Sequence, residues 1–503
     1  MSEEKLEDVE YIGGAPYAHQ LTAGLHSLND SDRQHDGPLT IEDEIETKRI
    51  MRKLDWRVLP ICSVLYLFSF LDRTAIGNAK VAGMNVELGI TATEYALALS
   101  LFFVTYGLLE VPSNLMLKKY GAKLWLPFIV FWWGVVMTLT GVVQNAGGLI
   151  AARIMLGAAE AGLFPGVSLL LSFLYPRAYI SLRIGTFFSA ATVAGAFGGL
   201  LAYGLSHVNA GSYSGWRWLF IVEGLLTVGV AIISYFLLFS NVDGAKFLTD
   251  KEKHYIKDRL TYDGTDVPMN DEFAWKFVIA GLIDWKTWVS LITYIGTVTP
   301  LYSIALTLPS ILKTTLGYDA IQSQILTIPV YCVAAINVLL FSYFSDRTKN
   351  RAYFICLGTG VSAIGWIMGF ASRNPKVRYA ACFIGALGSY AGFPPLIALL
   401  SQNVGGKSKR SVTLAIQVGI GGMCGIISSN IFLPQEAPNY PTAYIINIAC
   451  NIVAFWGALG LIFMLRLANA RKQRMVDSGE AAKLTRKQLA DLGDSSPYFK
   501  YRW

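Results

Sequence analysis

Long apolar runs, each near 20 residues and each bounded by a short polar stretch, set the pattern of this chain. They lie near 57 to 79, 95 to 117, 124 to 144, 148 to 172, 182 to 206, 216 to 240, 287 to 311, 323 to 345, 352 to 371, 378 to 400, 410 to 433 and 443 to 466. At a rise of about 1.5 Å per residue each run is long enough to cross a hydrocarbon core of about 30 Å. The pattern therefore predicts an all-α polytopic membrane protein with twelve spanning helices and both termini on one side. A polar insert at 241–286 separates six runs from six, so the chain divides into a tail (1–47), a six-helix half (48–240), a linker (241–286), a second half (287–466) and a closing tail (467–503).

The basic residues of the short loops give an orientation. Lys118, Lys119, Lys123, Arg183, Arg347, Lys349, Arg351, Lys407, Lys409 and Arg410 fall on one side together with Lys48, Arg49, Arg52 and Arg57. An excess of Lys and Arg marks the cytoplasmic side, so both termini are expected there, with the plasma membrane as the expected location. The loop holding Arg373, Lys376 and Arg378 runs against the bias. In the linker, Phe247 to Leu260 carries a Thr249/Glu252 capping box and places Tyr255, Ile256 and Leu260 on one helical face. A short amphipathic helix at the membrane surface is one reading, a merely solvated charged helix the other.

Composition sharpens this in three ways. The 503 residues are 53% hydrophobic and 15% charged, too apolar for a soluble domain. The formal charge of +7 sits in loops and orients the chain, so no nucleic-acid partner is expected. The six cysteines lie in apolar runs without metal spacing and read as small core residues. No histidine in an apolar run, no nucleophile motif and no phosphate loop point to an enzyme, and no cofactor or metal is expected.

Charge inside the apolar runs is the unusual feature. The stretch GLIAARIMLGAAEAGLFPGVSL at 148–169 carries Arg153 and Glu160, seven residues or two helical turns apart, and the first run carries the adjacent pair Asp72 and Arg73. An ionisable group in a span costs about 2.5–3.5 kcal/mol on insertion scales and usually marks a solute or ion path. Counted from opposite ends of the membrane, Arg73 and Arg153 fall at nearly the same depth, with Glu160 near the midplane. Arg73 and Arg153 are the candidate anion clamps, because a guanidinium holds a carboxylate with two parallel hydrogen bonds. The alternative is that each only neutralises Asp72 or Glu160. Asp72 and Glu160 are the candidate proton carriers: burial favours the neutral acid, a neighbouring guanidinium favours the carboxylate, and substrate arriving at the arginine shifts that balance. Glu110, expected to pair with Lys118 or Arg177, and Glu223, expected in an internal network, read as structural. The second half offers polar and aromatic groups only: Tyr294, Tyr302, Tyr331, Tyr390, Gln402, Asn403 and Gln417, of which Tyr302, Tyr390 and Asn403 are the substrate-binding candidates. Gly195 with Gly199, and Gly157 with Gly162, read as small contacts between helices.

Two loops at equivalent places, NLMLKKYGAK at 114–123 and SYFSDRTKNR at 342–351, resemble the Gly-x-x-x-Asp-Arg-x-Gly-Arg signature of the major facilitator superfamily. The second copy keeps Asp346, Arg347 and Arg351, which the resemblance implies are a gating motif; the first has Lys118 where the signature has Asp. FLDRTAIGNA at 70–79, RIMLGAAEAGLFPG at 153–166, GWRWLFIVEG at 215–224 and the closing SSPYFKYRW are similar to the fungal anion:cation symporters, the allantoate, nicotinate and pantothenate permeases. The resemblance implies a monomeric secondary transporter in a lipid bilayer that takes up a small organic anion with protons, with helices one and four lining its cavity. Export of a fungal metabolite and a membrane nutrient sensor are the alternatives.

Overall fold

The computed structural model describes residues 41–503 apart from 177–178, 207–213, 262–274 and 318–319. Among these residues there is no strand, and eleven helices are long and apolar enough to cross a membrane, with a shorter apolar helix over Ile180–Gly195. The described residues divide into two units between Leu54 and Asp55. The expected tail of 1–47 lies largely outside the described residues; 41–47 are helical.

We number the main helices α1 (Ile41–Val81), α2 (Ala92–Tyr120), α3 (Ala122–Thr140), α4 (Ala146–Glu160), α5 (Leu163–Leu174), α6 (Ile180–Ser206) and α7 (Gly215–Leu237). Beyond them lie α8 (Asp250–Thr261), α9 (Trp275–Ile283), α10 (Trp285–Leu316), α11 (Thr327–Thr348), α12 (Arg351–Ala371), α13 (Pro375–Asn403), α14 (Lys407–Gly422), α15 (Cys424–Asn430) and α16 (Pro441–Asp477). Two of the apolar runs are broken. The fourth splits into α4 and α5 at Ala161–Gly162, where Gly162 takes a left-handed φ of 91°. The eleventh splits into α14 and α15 at Met423.

With no apolar solvent to flee, spanning helices associate by close packing, and small residues permit it. Gly134 of α3 faces the backbone of Gly224 on α7, and Gly358 and Gly365 of α12 face Gly388 and Gly385 on α13. Two further seams join the first group of helices to the second. Gly107 of α2 meets the carbonyl of Gly419 on α14, and Gly185 and Gly195 of α6 meet Ser342 and Tyr331 on α11. The seams are equivalent, since the second and fifth spans of one group meet the fifth and second of the other. Phe236, Trp456 and Phe463 are 76%, 66% and 64% exposed, whereas Asp72, Arg73, Glu110, Arg153, Glu160 and Glu223 are buried. Apolar outside and charged inside is the reverse of a soluble fold.

The linker helix forms as α8, with both halves of its capping box in place: Glu252 N–H donates to Thr249 Oγ1 at 3.3 Å and Thr249 N–H to Glu252 Oε2 at 2.9 Å. Its Ile256 is fully buried within the protein. The apolar face of α8 therefore packs on protein rather than serving lipid alone.

Candidate functional site

Arg73 is the centre of the buried charge. Ser69, Asp72 and Arg73 share one stretch of α1, but adjacent residues on a helix diverge by 100°, so Asp72 and Arg73 serve different neighbours. Arg73 forms an ion pair with Glu160 Oε1 through Nη2 and donates from Nη1 to Tyr302 Oη at 2.9 Å. Its guanidinium lies over the rings of Tyr106 at 5.1 Å and Phe102 at 5.6 Å. Ser69, one turn before Arg73, adds a 2.5 Å hydrogen bond to Glu160 Oε1. Glu160 Oε2 has no partner among the described residues, and the residue is 1% exposed. Glu160 is the last residue of α4, so the break in the fourth span falls beside the charge that sequence reading singled out.

Asp72 turns toward α7, where Thr227 Oγ1 donates to its Oδ2 at 3.2 Å and Glu223 lies close by. The i, i+4 spacing of Glu223 and Thr227 puts both on the face that meets Asp72. Arg153 sits in the field of Tyr95, Glu160 and Asp72 with its guanidinium over Phe220 at 6.0 Å. Its Nε and Nη2 have no hydrogen-bond partner among the described residues. The alternative reading, an arginine neutralising Asp72 or Glu160, is met by Arg73 alone among the described contacts.

A narrow cavity with room for little more than a water molecule is lined by Tyr66, Phe70, Arg73, Tyr106, Phe164 and Phe188 from the first group of helices and by Tyr294, Val298, Leu301, Tyr302, Phe393 and Val418 from the second. Arg73 is the single charged residue of that wall. Within that wall, Phe188 and Phe393 stack across the two groups at 4.3 Å between centroids. The structure brings Arg73, Glu160 and Tyr302 together. Arg153 is close but is not part of the wall. Tyr390 is one layer behind it, 6.2 Å from the Phe188 ring and edge-on to Tyr331.

Asn403 lies elsewhere. Its amide donates to Leu399 O and Arg502 O and accepts from Arg502 N–H at 2.8 Å, so both polar ends are consumed by its own helix and the closing tail. That tail is docked, not loose: Asp494, 1% exposed, accepts from Gly405 N–H and pairs with Lys409 at 2.9 Å and Lys286 at 2.8 Å. Burial works against its charge, yet the two ammonium groups hold its carboxyl down at about 2. Gln402 is also committed, to Arg351.

The Asp346 motif acts across a seam. Asp346 accepts from Leu182 N–H at 2.7 Å and Ser181 N–H at 3.2 Å, the free amides that open α6, and pairs with Arg351 at 2.7 Å. A carboxylate at a helix N-terminus is favoured by the helix dipole. Arg347 turns away to Tyr343 Oη at 3.2 Å on the exposed side. In the first copy Lys118 donates to Ser408 at the start of α14, and Ser411 reaches Asn114 O at 3.4 Å. These contacts join the two groups of helices on the side of the basic loops. At the opposite ends of the helices, Arg217 of GWRW gathers Glu87 at 2.9 Å and the carbonyls of Gly141 and Val143.

Glu110 is corrected by the structure. Its Oε2 accepts from Gly162 N–H at 2.9 Å, in the break between α4 and α5, rather than from Lys118, whose described bond goes to Ser408. Arg177, the other expected partner, lies outside the described residues. Sequence reading missed this contact, and it missed Ser69 and Tyr106 as partners of the charge pair. The i, i+4 spacings of Ser69 with Arg73 and of Tyr106 with Glu110 were the available signal.

Comparison with known proteins agrees with this architecture. Residues 62–429 match the Major Facilitator Superfamily model. The chain is 34% identical to the MFS-type transporter cnsO of Penicillium expansum, over 94% of this chain and 98% of that one. It is 31% identical to the high-affinity nicotinic acid transporter of Saccharomyces cerevisiae, over 91% and 85%. The solved proton:xylose symporter XylE superposes with a TM-score of 0.62 at 12% identity, over 80% of this chain and 94% of that one. A bacterial homologue of the lysosomal transporter Spinster gives 0.56 at 16%, over 81% and 96%. The relatives are transporters and not enzymes, and the chain belongs to the Major Facilitator Superfamily as a multi-pass membrane transporter.

Proposed function

We propose that this transporter takes up a small organic anion, a monocarboxylate of the nicotinate kind, together with protons. The observation that carries the reading is that Arg73, the one charged residue in the cavity wall, already holds a carboxylate, that of Glu160. A substrate carboxylate entering the cavity competes for the same fork. Once displaced, Glu160 is left buried without its cation, and accepting a proton removes that uncompensated charge. Proton uptake by Glu160 and substrate binding by Arg73 are then one event, and neither species crosses productively without the other. Asp72, on the helix that carries Arg73 and with Glu223 beside it, supplies a second site for a proton. Tyr302 holds the second edge of the Arg73 guanidinium, and the rings of Tyr66, Tyr106, Phe164, Phe188, Tyr294 and Phe393 suit a flat apolar body behind the carboxylate.

The likeness to a nicotinic acid transporter supports this substrate class. The basic loops support cytoplasmic termini, a plasma-membrane location follows from a role in uptake, and we take the monomer as the working unit. The Asp346, Arg347 and Arg351 loop serves as the gate on the cytoplasmic face.

The test is uptake of a labelled carboxylate panel, nicotinate included, in cells lacking their own permeases, with and without a protonophore. Accumulation abolished by the protonophore supports the reading. Faster loss of a preloaded compound means export, and binding without flux means a sensor; either outcome overturns uptake.

A further inference from the structure

A broken helix in a membrane leaves backbone amides with no water to satisfy them, so each needs a partner within the protein. The break at Ala161–Gly162 is such a place. The α4 helix ends on Glu160, Ala161 is extended with ψ 130°, Gly162 is left-handed, and α5 starts at Leu163. The amide of Gly162 is satisfied from another helix, by Glu110 Oε2 at 2.9 Å. Glu110 is completely buried, and its Oε1 has no partner among the described residues. The fit leaves no slack: a Cβ on Gly162 would come within 2.0 Å of Ser113 Oγ, on the same face of α2.

Glu110 and the charge pair are linked on both sides. Gly162 is two residues from Glu160, so fixing Gly162 fixes the Glu160 Cα to within about 7 Å. One turn before Glu110, Tyr106 carries the Arg73 guanidinium on its ring. Helix α2 thus holds Arg73 with Tyr106 and the backbone after Glu160 with Glu110, bracketing the ion pair. Across the seam Gly419 of α14 packs on Glu110 itself, at 2.6 Å from its Cβ to where a Cβ would stand on Gly419. Sliding of α14 along α2 therefore presses on the residue that holds the break.

We infer that Glu110 is a positioning residue of the coupling site, whose carboxyl oxygen caps the α4–α5 break from a neighbouring helix and so keeps Glu160 in reach of Arg73. This rests on the uptake reading for its transport readout. The titratable groups around Glu110 are Tyr106 of its own helix, Tyr66 and Arg73 of α1, Glu160 of α4 and Tyr302 of α10, while α14 presents Gly419, which does not titrate.

Two conservative variants separate positioning from proton carriage. Glu110→Gln keeps an oxygen at the position that accepts from Gly162 but cannot exchange a proton; Glu110→Asp keeps the carboxyl but withdraws it by one methylene. Each is measured for substrate uptake against external pH and, independently of any substrate, for deuterium exchange of the peptide spanning 156–166 in detergent. Positioning predicts that Glu110→Gln stays within about threefold of wild type in maximal rate, pH profile and exchange. It predicts that Glu110→Asp exchanges at least tenfold faster, loses about tenfold in rate and shifts its pH profile. The reverse order means that Glu110 itself carries a proton and overturns the inference, as do two variants that behave alike. Should wild type transport no carboxylate while exchange follows the expected order, the cap stands and the uptake reading falls.

Discussion

Replacing Arg73 by Lys keeps one positive charge at the cavity wall and removes the fork. In the structure the guanidinium serves Glu160 with one nitrogen and Tyr302 with the other, 2.9 Å away, while its plane rests on Tyr106 and Phe102. An ammonium on a flexible stem holds one partner well and cannot offer two parallel N–H groups to a carboxylate. The loss is one charge-assisted hydrogen bond to bound substrate, about 1.5–3 kcal/mol. At about 1.4 kcal/mol per decade this raises KM roughly tenfold to a hundredfold. Maximal rate falls less, because Glu160 keeps a cation to be displaced from. The assay is initial-rate uptake over a range of substrate concentrations, normalised to surface protein. A KM within twofold of wild type in correctly inserted Arg73→Lys would refute Arg73 as the anion clamp.

Arg153→Lys is expected to leave KM within about threefold, because no described residue accepts from its Nε or Nη2 and it stands outside the cavity wall; a tenfold rise would transfer the clamp to Arg153. Asp346→Asn should loosen the basic face by removing the charge at the α6 N-terminus and half of the Arg351 pair, so that a Ser342→Cys reporter labels several-fold faster with a maleimide in detergent; an unchanged rate counts against the latch. Asp494→Asn should lower the melting temperature at pH 7. A carboxyl held at about 2, against an ordinary value of 3.8, contributes on the order of 2 kcal/mol above pH 4. Because the folded value is the lower one, that contribution is lost as pH falls through about 2, and the gap between variant and wild type should narrow at pH 3 and close below 2. A gap that does not depend on pH would show that packing, not charge, docks the tail.

Hydrophobic length made the spans readable, since a 20-residue apolar run has few other fates in water. Charge inside those runs made Arg73, Glu160 and Asp72 conspicuous for the same reason. Partnership was less legible. Depth arithmetic placed Arg73 and Arg153 at one level but is blind to rotation about the helix axis, which decides that Arg73 meets Glu160 while Arg153 does not. Glu110 was misread because its partner is a backbone amide, and a backbone amide has no sequence signature; only the left-handed Gly162 creates it. Asn403 looked like an inward polar group of a spanning helix, yet its amide binds a tail a hundred residues further on, a contact that no local periodicity encodes. The docked tail itself rests on Asp494, Lys286 and Lys409, three charges that each look like ordinary surface residues when read singly.

The central claim is that the proton and the substrate meet at the Arg73–Glu160 pair. Glu160→Gln imitates the protonated acid and cannot release a proton. Reconstituted into liposomes, this variant should exchange labelled for unlabelled substrate across the membrane at a rate near wild type, yet fail to concentrate substrate when an inward proton gradient is imposed. If Asp72 adds a second proton, the loss is partial and the two carboxyls titrate together. A correctly inserted Glu160→Gln protein that concentrates substrate as wild type does, with the same dependence on external pH, would contradict the account and leave Glu160 as the structural partner of Arg73.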